Sequence, residues 1–253
     1  MSLKVSIITA VRNGVRDMPA TLASVESQDY PDIEHVVVDG ASTDGTPDLV
    51  RRDGRRVARL LSEPDRGVYD AFNKGLALAT GDVIGYLNAG DVYEDAGVIS
   101  RIAARFESEP VEALYGDVVI TDPASSRKVL RHYRSGSFAT SRLGWGFMPA
   151  HPTLFVRREA YQRAGCYDTS YRIAGDFELC VRLFAEQGVR AAYLPEVLVR
   201  MPRGGLSNSG WRSKWIITQE MRRACLAHGI PTSYAKLFAR FPVKALEVLR
   251  RGS

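Results

Sequence analysis

Short β-branched runs alternate with apolar residues at helical spacing through the first 110 positions. Residues 4–9 (KVSIIT) read as a strand that Asn13-Gly14 breaks, and Met18, Leu22 and Val25 share one face of a helix over 18–28. Residues 33–38 form a second strand, whose Val36-Val37-Val38 run suits burial on both faces. Asp44 is placed to cap the next helix, with Pro47 in its first turn. A third strand over 57–62, a helix over 68–80 closed by Gly81, and a fourth strand over 82–87 follow. This alternation predicts an α/β protein with a single, mainly parallel, Rossmann-like sheet flanked by helices.

The pattern changes near residue 110. Strands are expected at 113–121, 128–133, 153–156 and 191–199, and helices at 158–164 and 176–187. A long aromatic loop covers 136–151, and a Gly/Ser loop covers 204–210. Basic amphipathic helices follow, so the expected division is a domain over 1–209 and a helical tail over 210–253.

Composition narrows this picture. The 253 residues are 45% hydrophobic and 25% charged, as in an ordinary folded domain. Cys166, Cys180 and Cys225 are too few and too scattered for a disulfide framework or a zinc site. No apolar run approaches the roughly 18 residues that cross a bilayer, and a strand pattern begins at residue 4. A cytoplasmic location is the expectation. The net charge is +5, with basic residues concentrated from Arg203 onward. Such an excess suits a phosphorylated substrate, an anionic membrane or nucleic acid.

Four clusters carry candidate chemistry. Thr9, Arg12, Asn13, Asp39 and Asp44 end adjacent strands, where open α/β sheets bind ligands. Asp39 can accept hydrogen bonds from a base or ribose, and Arg12 can stack or pair with phosphate; turn formation is the plainer role for such residues. No GxGxxG or GxxxxGK[ST] follows the first strand, which counts against a dinucleotide or P-loop site. Asn88-Ala89-Gly90-Asp91 ends the fourth strand, and Asp91 is the candidate ligand for a hard cation beside a diphosphate; capping the next helix is its alternative. Asp176 opens an apolar-faced helix and is either an N-cap or a general base. Arg200, Gly204, Gly205 and Ser207 lie in a glycine-rich segment that suits either a linker or a loop closing on phosphate. Trp145 and His151 in the aromatic loop can pack a sugar ring or belong to the core.

Taken together, six strings in this order resemble the inverting family 2 glycosyltransferases of the GT-A fold: VSIITAVRNG, VVVDGASTDGT, SEPDRGVYDAFNKGLALATGD, LNAGD, HPTLFVRREAY and IAGDFELCVRL. The likeness runs from about residue 4 to 209. It implies a nucleotide-binding half over about 1–110 and an acceptor half over about 111–209. Asp39 matches the acid that reads the nucleobase, and Thr9 begins the loop lining it. Asp70, Asn73 and Lys74 match a segment near ribose or phosphate. Asp91 matches the last acid of a motif for Mn²⁺ or Mg²⁺, Asp176 the general base, and Gly204, Gly205 and Ser207 a diphosphate-clasping GGxS loop. The implied reaction transfers a sugar from a nucleotide-sugar donor to an acceptor hydroxyl, with a UDP-sugar favoured. Arg12 stands where an aromatic often precedes the Asn, which leaves GDP- and dTDP-sugars open. Gly90 stands where a second acid often precedes Asp91, which keeps a non-catalytic nucleotide-sugar-binding scaffold as the alternative.

The bacterial members imply a lipid-linked or saccharide acceptor in surface polysaccharide synthesis rather than a nucleic acid. Leu237, Phe238 and Phe241 beside Lys236, Arg240 and Lys244 suit an anionic membrane surface, peripheral to the inner face of the plasma membrane. Packing on the domain or forming a homodimer are the tail's alternative uses.

Overall fold

The computed structural model describes residues 2–204 and 210–240. Gly205, Ser207, Phe241 and Lys244 lie outside the described residues.

Three β-α-β units build the first half. Strand β1 (Val5–Val11) leads through helix α1 (Met18–Glu26) to β2 (Ile33–Asp39), then through α2 (Thr46–Asp53) to β3 (Val57–Ser62) and through α3 (Val68–Leu78) to β4 (Val83–Tyr86). These four strands are parallel, in the order β3-β2-β1-β4. The expected Val36–Val38 run is fully buried on β2, as a strand covered by helices on both faces must be. Asp44 is not the cap of α2. Gly45 holds that position, while Asp44 accepts from Thr46 N and Oγ1 and from Val15 N, joining two loops.

The second half makes the sheet mixed. It contains the two-residue β5 (Val92–Tyr93), α4 (Val98–Ser108), β6 (Ala113–Asp122), β7 (Ser125–Tyr133), β8 (Phe155–Arg157), α5 (Arg158–Ala164), α6 (Gly175–Val181), β9 (Ala191–Pro202) and α7 (Gly210–Ala227). Strand β8 runs antiparallel to β4 and β6, β9 runs parallel to β6, and β7 hangs antiparallel off β6. The helix expected to run to residue 187 instead passes from α6 into a π-turn over Arg182–Glu186. Sequence periodicity missed β5, which is too short to show alternation. It pairs Val92 with Arg200, so the end of β9 is held beside the turn that follows β4.

The described part of the tail joins the main core. Met221, Ala224 and Cys225 of α7 and Leu237 are buried among Leu143, Leu179 and Val181. Burying Met221 and Leu237 contributes about 1.5–3 kcal/mol each, which holds α7 and the segment that follows it on the domain.

Candidate active site

The carboxyl ends of β1 and β4 open into a cleft of about 690 Å³. Residues 10–14 and 88–91 form its base, Tyr69, Phe72 and His151 one wall, Arg172, Ile173 and Asp176 another, and residues 201–204 a rim. Parallel strands force this placement, because all their carboxyl ends face one edge.

Asp39 ends β2, opposite Val11 and Ser62 in the ladder. It is fully buried behind the cleft rather than in its lining. Its Oδ2 accepts from Ser42 N (2.9 Å) and Ser62 Oγ (2.7 Å), while its Oδ1 has no partner. A buried carboxylate oxygen without a donor is costly, so this atom is a vacant acceptor suited to a ring N–H. Gly40 follows. A Cβ there would run into the Asp65 carboxylate and lie 3.4 Å from Arg12 Cδ, so glycine at this position lets Asp65 approach the backbone just after Asp39 without turning away. Arg12 itself is exposed.

Asp91 sits at the end of a turn built on Gly90, whose φ is 93°. Thr21 of α1 fastens this turn: its hydroxyl accepts from Gly90 N (2.9 Å) and donates to Asp91 O (2.9 Å). Asp91 is 4% exposed, its Oδ2 has no partner, and burial pushes its carboxyl up to about 7. It does not cap α4, whose N-cap is Gly97. A hard cation fits this orphaned oxygen. Among the described residues no three His, Cys, Asp or Glu side chains gather around a point, so such an ion needs oxygens from the ligand as well.

Asp176 is the second residue of α6 and half-buried on the cleft wall; the N-cap is Ala174. Its Oδ1 accepts from Phe177 N at 2.8 Å. Helix α6 begins against the face of Tyr69, and a Cβ on Gly175 would meet that ring at 2.8 Å. Tyr69 in turn donates from its hydroxyl to Ile173 O at 2.5 Å. Glu220 of α7 holds the same loop from the other side. Its carboxylate accepts from Arg172 N, Ile173 N and Ala174 N at 2.8–2.9 Å.

Several expected contacts are made elsewhere. Thr9 is fully buried beneath the sheet edge, donating to Leu87 O and bonding His35 Nε2, so it does not line a nucleotide loop. Asn13 lines the cleft, but its side-chain oxygen accepts from Thr43 N and joins the two loops. Asn73 bonds both the N and O of Tyr167. Lys74 pairs with Glu63 and donates to Pro64 O, and Asp70 accepts from Arg66 N. These last three shape the 63–67 loop and the wall behind the cleft, outside its lining. Arg200 pairs with Glu94 at 2.5 Å, and it is Arg203 with Gly204 that reaches the rim. Trp145 faces a separate hollow of about 340 Å³ with Ile230 and Lys236. His151 does reach the cleft. It bonds Tyr167 Oη at 2.8 Å and stacks on Phe72, and burial lowers its imidazole to about 4, so it is neutral near pH 7.

Sequence reasoning missed Thr21, Arg172 and Glu220, and within the 65–74 segment it pointed to Asp70, Asn73 and Lys74 rather than to Asp65 and Tyr69. Only Glu220 left a local signal, as the one acid among six Lys and Arg over residues 210–240.

Residues 6–165 match the sequence profile described as Glycosyl transferase family 2. A relative from Mycobacterium bovis (strain BCG / Pasteur 1173P2), "PGL/p-HBAD biosynthesis glycosyltransferase", is 33% identical over 210 residues, covering 81% of this chain and 79% of the relative. A protein of the same name from Mycobacterium tuberculosis (strain ATCC 25177 / H37Ra) matches equally. The chain therefore belongs to glycosyl transferase family 2. Among solved structures, S. aureus TarS 1-349 in complex with UDP-GlcNAc superposes with a TM-score of 0.71 at 16% identity, covering 93% of this chain and 70% of that one. The mannosyltransferase PcManGT of Pyrobaculum calidifontis, in complex with GDP-Man and Mn²⁺, gives 0.67 at 23% identity, covering 100% and 77%. These likenesses show the GT-A fold. The chain spans 39% of the longer TarS chain.

Proposed function

We propose that this protein is an inverting glycosyltransferase. It moves a sugar from a nucleoside-diphosphate sugar to an acceptor hydroxyl, with a UDP-sugar favoured over GDP- and dTDP-sugars. The observation that carries the reading is a pair of orphaned buried carboxylate oxygens, one on Asp91 in the lining of the cleft that also receives Asp176 and one on Asp39 directly behind that lining. The first suits a base N–H, the second a cation, and the third a proton from an attacking hydroxyl.

Asp176 accepts the acceptor's proton as its oxygen attacks the anomeric carbon. The bond from that carbon to the diphosphate breaks on the opposite face, and the configuration inverts. Arg12 and Arg203, both exposed at the cleft, attract the diphosphate and the charge it gains on leaving. Asp91 would hold a divalent ion, Mn²⁺ or Mg²⁺, whose chemistry is to neutralise that charge.

The acceptor is proposed to be a lipid-linked or surface glycan met at an anionic membrane face from the cytoplasmic side. Support comes from the outer side of α7. Trp211 is 84% exposed with Lys214 over its ring, and Trp215 stacks on Tyr234 at 5.5 Å with Arg222 over Tyr234. Aromatic faces and cations together suit a headgroup layer. No described helix is long and apolar enough to cross a membrane. PGL/p-HBAD intermediates, for which the mycobacterial relatives are named, are the first acceptor class to assay beside polyprenyl-diphosphate-linked glycans.

Asp176→Asn is the test. Removing a general base lowers turnover by roughly 10²- to 10⁴-fold, while UDP and GDP affinities stay unchanged. Transfer by this variant at the unmodified rate would overturn the assignment.

A further inference from the structure

Glu220 lies 44 positions beyond Asp176, on a helix that the sequence sets apart from the catalytic domain. Its carboxylate nevertheless accepts three consecutive backbone N–H groups, from Arg172 (2.8 Å), Ile173 (2.9 Å) and Ala174 (2.8 Å). Ala174 is the N-cap of α6, and Asp176 follows two residues later. A side-chain carboxylate on three successive amides fixes the direction of each peptide plane, and charge-assisted bonds of this kind are the stronger sort. The same segment is held on its opposite side by Tyr69, whose hydroxyl donates to Ile173 O. The approach of α6 to Tyr69 is so close that Gly175 has no room for a Cβ.

Helix α7 is itself firmly seated. Its buried residues Thr218, Met221, Ala224 and Cys225 follow helical spacing and place Glu220 on the edge of the packed face. Just past the C-terminal end of the helix, His228 bonds Glu178 of α6 and Glu186. Helix α7 is thus tied at two points, to the loop that leads into α6 through Glu220 and to α6 itself through His228, and the Glu220 tie is the one on residues that line the cleft.

We propose that Glu220 is a positioning residue for the general base. By fixing the 172–174 loop it sets where α6 begins, and so where the Asp176 carboxylate stands against the acceptor hydroxyl. The C-terminal helix is then part of the catalytic machinery rather than an appended tail. This rests on the glycosyltransferase reading above and on Asp176 as the base.

The test uses the full chain with Mn²⁺ and follows nucleoside diphosphate release from UDP-GlcNAc and GDP-mannose. It compares Glu220→Gln, Glu220→Ala, Asp176→Asn and the double variant Asp176→Asn/Glu220→Gln. Displacing a catalytic group by about 1 Å costs on the order of 10²-fold, so Glu220→Ala is expected to lose about a hundredfold in kcat. Glu220→Gln keeps one acceptor oxygen but turns an NH₂ toward a backbone N–H, and about a tenfold loss is expected. UDP and GDP affinities stay within about twofold, because the nucleotide corner lies on other elements, whereas misfolding would lower binding stoichiometry as well. Amide exchange at 172–174 rises in both Glu220 variants. In the Asp176→Asn background the Glu220→Gln change costs nothing further, the signature of a residue acting through another.

Should Glu220→Ala not fold, the Glu220→Gln pair decides. Unchanged turnover in Glu220→Gln despite faster amide exchange, or a full additional loss in the double variant, overturns the positioning role and leaves the functional reading standing. Unmodified turnover in Asp176→Asn, or no release from either donor by the unmodified protein, overturns the functional reading and this inference with it.

Discussion

Replacing Asp39 by Asn reverses the polarity of the proposed base-reading corner while changing little else. Oδ2 of Asp39 accepts two donors, Ser42 N at 2.9 Å and Ser62 Oγ at 2.7 Å, and Oδ1 accepts none. In the variant the amide oxygen is held on the Oδ2 side, because an NH₂ there would face those donors. The NH₂ therefore occupies the Oδ1 position and presents hydrogens where the acid presented a lone pair. Uracil N3 and guanine N1 carry a hydrogen and now meet a donor, whereas cytosine N3 is an acceptor. Hydrogen bonds to charged groups contribute about 1.5–3 kcal/mol, which is roughly a 10- to 150-fold rise in Kd for UDP or GDP. CDP, excluded by the acid, should gain relative to both. Isothermal titration of UDP, GDP and CDP against both proteins measures this. Equal Kd values for UDP and GDP in Asp39→Asn and the unmodified protein would refute the reasoning, since Oδ1 would then not be the base's partner.

Four other expectations can be checked. Replacing Gly175 by Ala puts a Cβ 2.8 Å from a Tyr69 ring that its own hydrogen bond to Ile173 O holds in place; a thermal melt should show about 1–3 kcal/mol of destabilisation, with turnover falling further than stability predicts. Mn²⁺ should tighten UDP binding in the unmodified protein but not in Asp91→Asn, and an equal Mn²⁺ gain in both would remove Asp91 as a ligand. His35 and His151 are both buried with imidazoles lowered to about 4, so the unfolded chain takes up their protons first; each contribution is full above the ordinary histidine pKa of about 6.5 and falls by about 3 kcal/mol as pH drops to about 4, so His35→Gln should reduce the acid slope in urea titrations while the His151 share remains. Trp215→Ala with Phe238→Ala should abolish flotation with vesicles rich in anionic phospholipid, and unchanged flotation, or a dimer that these changes dissociate, would reassign the aromatic face.

The parallel half of the fold is legible because its information is local. Val36, Val37 and Val38 dictate a strand buried on both faces, Met18, Leu22 and Val25 a helix face, and parallel strands need the crossover helices between them. Parallel pairing then sends Asp39 and the 88–91 turn to the same edge with no further information. The second half was less legible. Strand β5 is two residues long, and β9 reads as a strand but not as one that parallels β6 while β8 runs against both neighbours.

Local pattern alone was enough for most of the elements, the acids at their ends and the family likeness, because periodicity, turn residues and motif order all act over a few positions. Tertiary structure decided which of those side chains face the cleft. Thr9, Asn73 and Lys74 sit in the expected segments, yet they bond to Leu87 O, the Tyr167 backbone and Glu63. Short polar residues look alike in sequence whether they meet a ligand or a backbone group left unpaired by a turn. Glu220 is the opposite case. Nothing within a few residues of it speaks of the cleft, and its role exists only because α7 folds back across α6 and brings a carboxylate to amides 46–48 positions away.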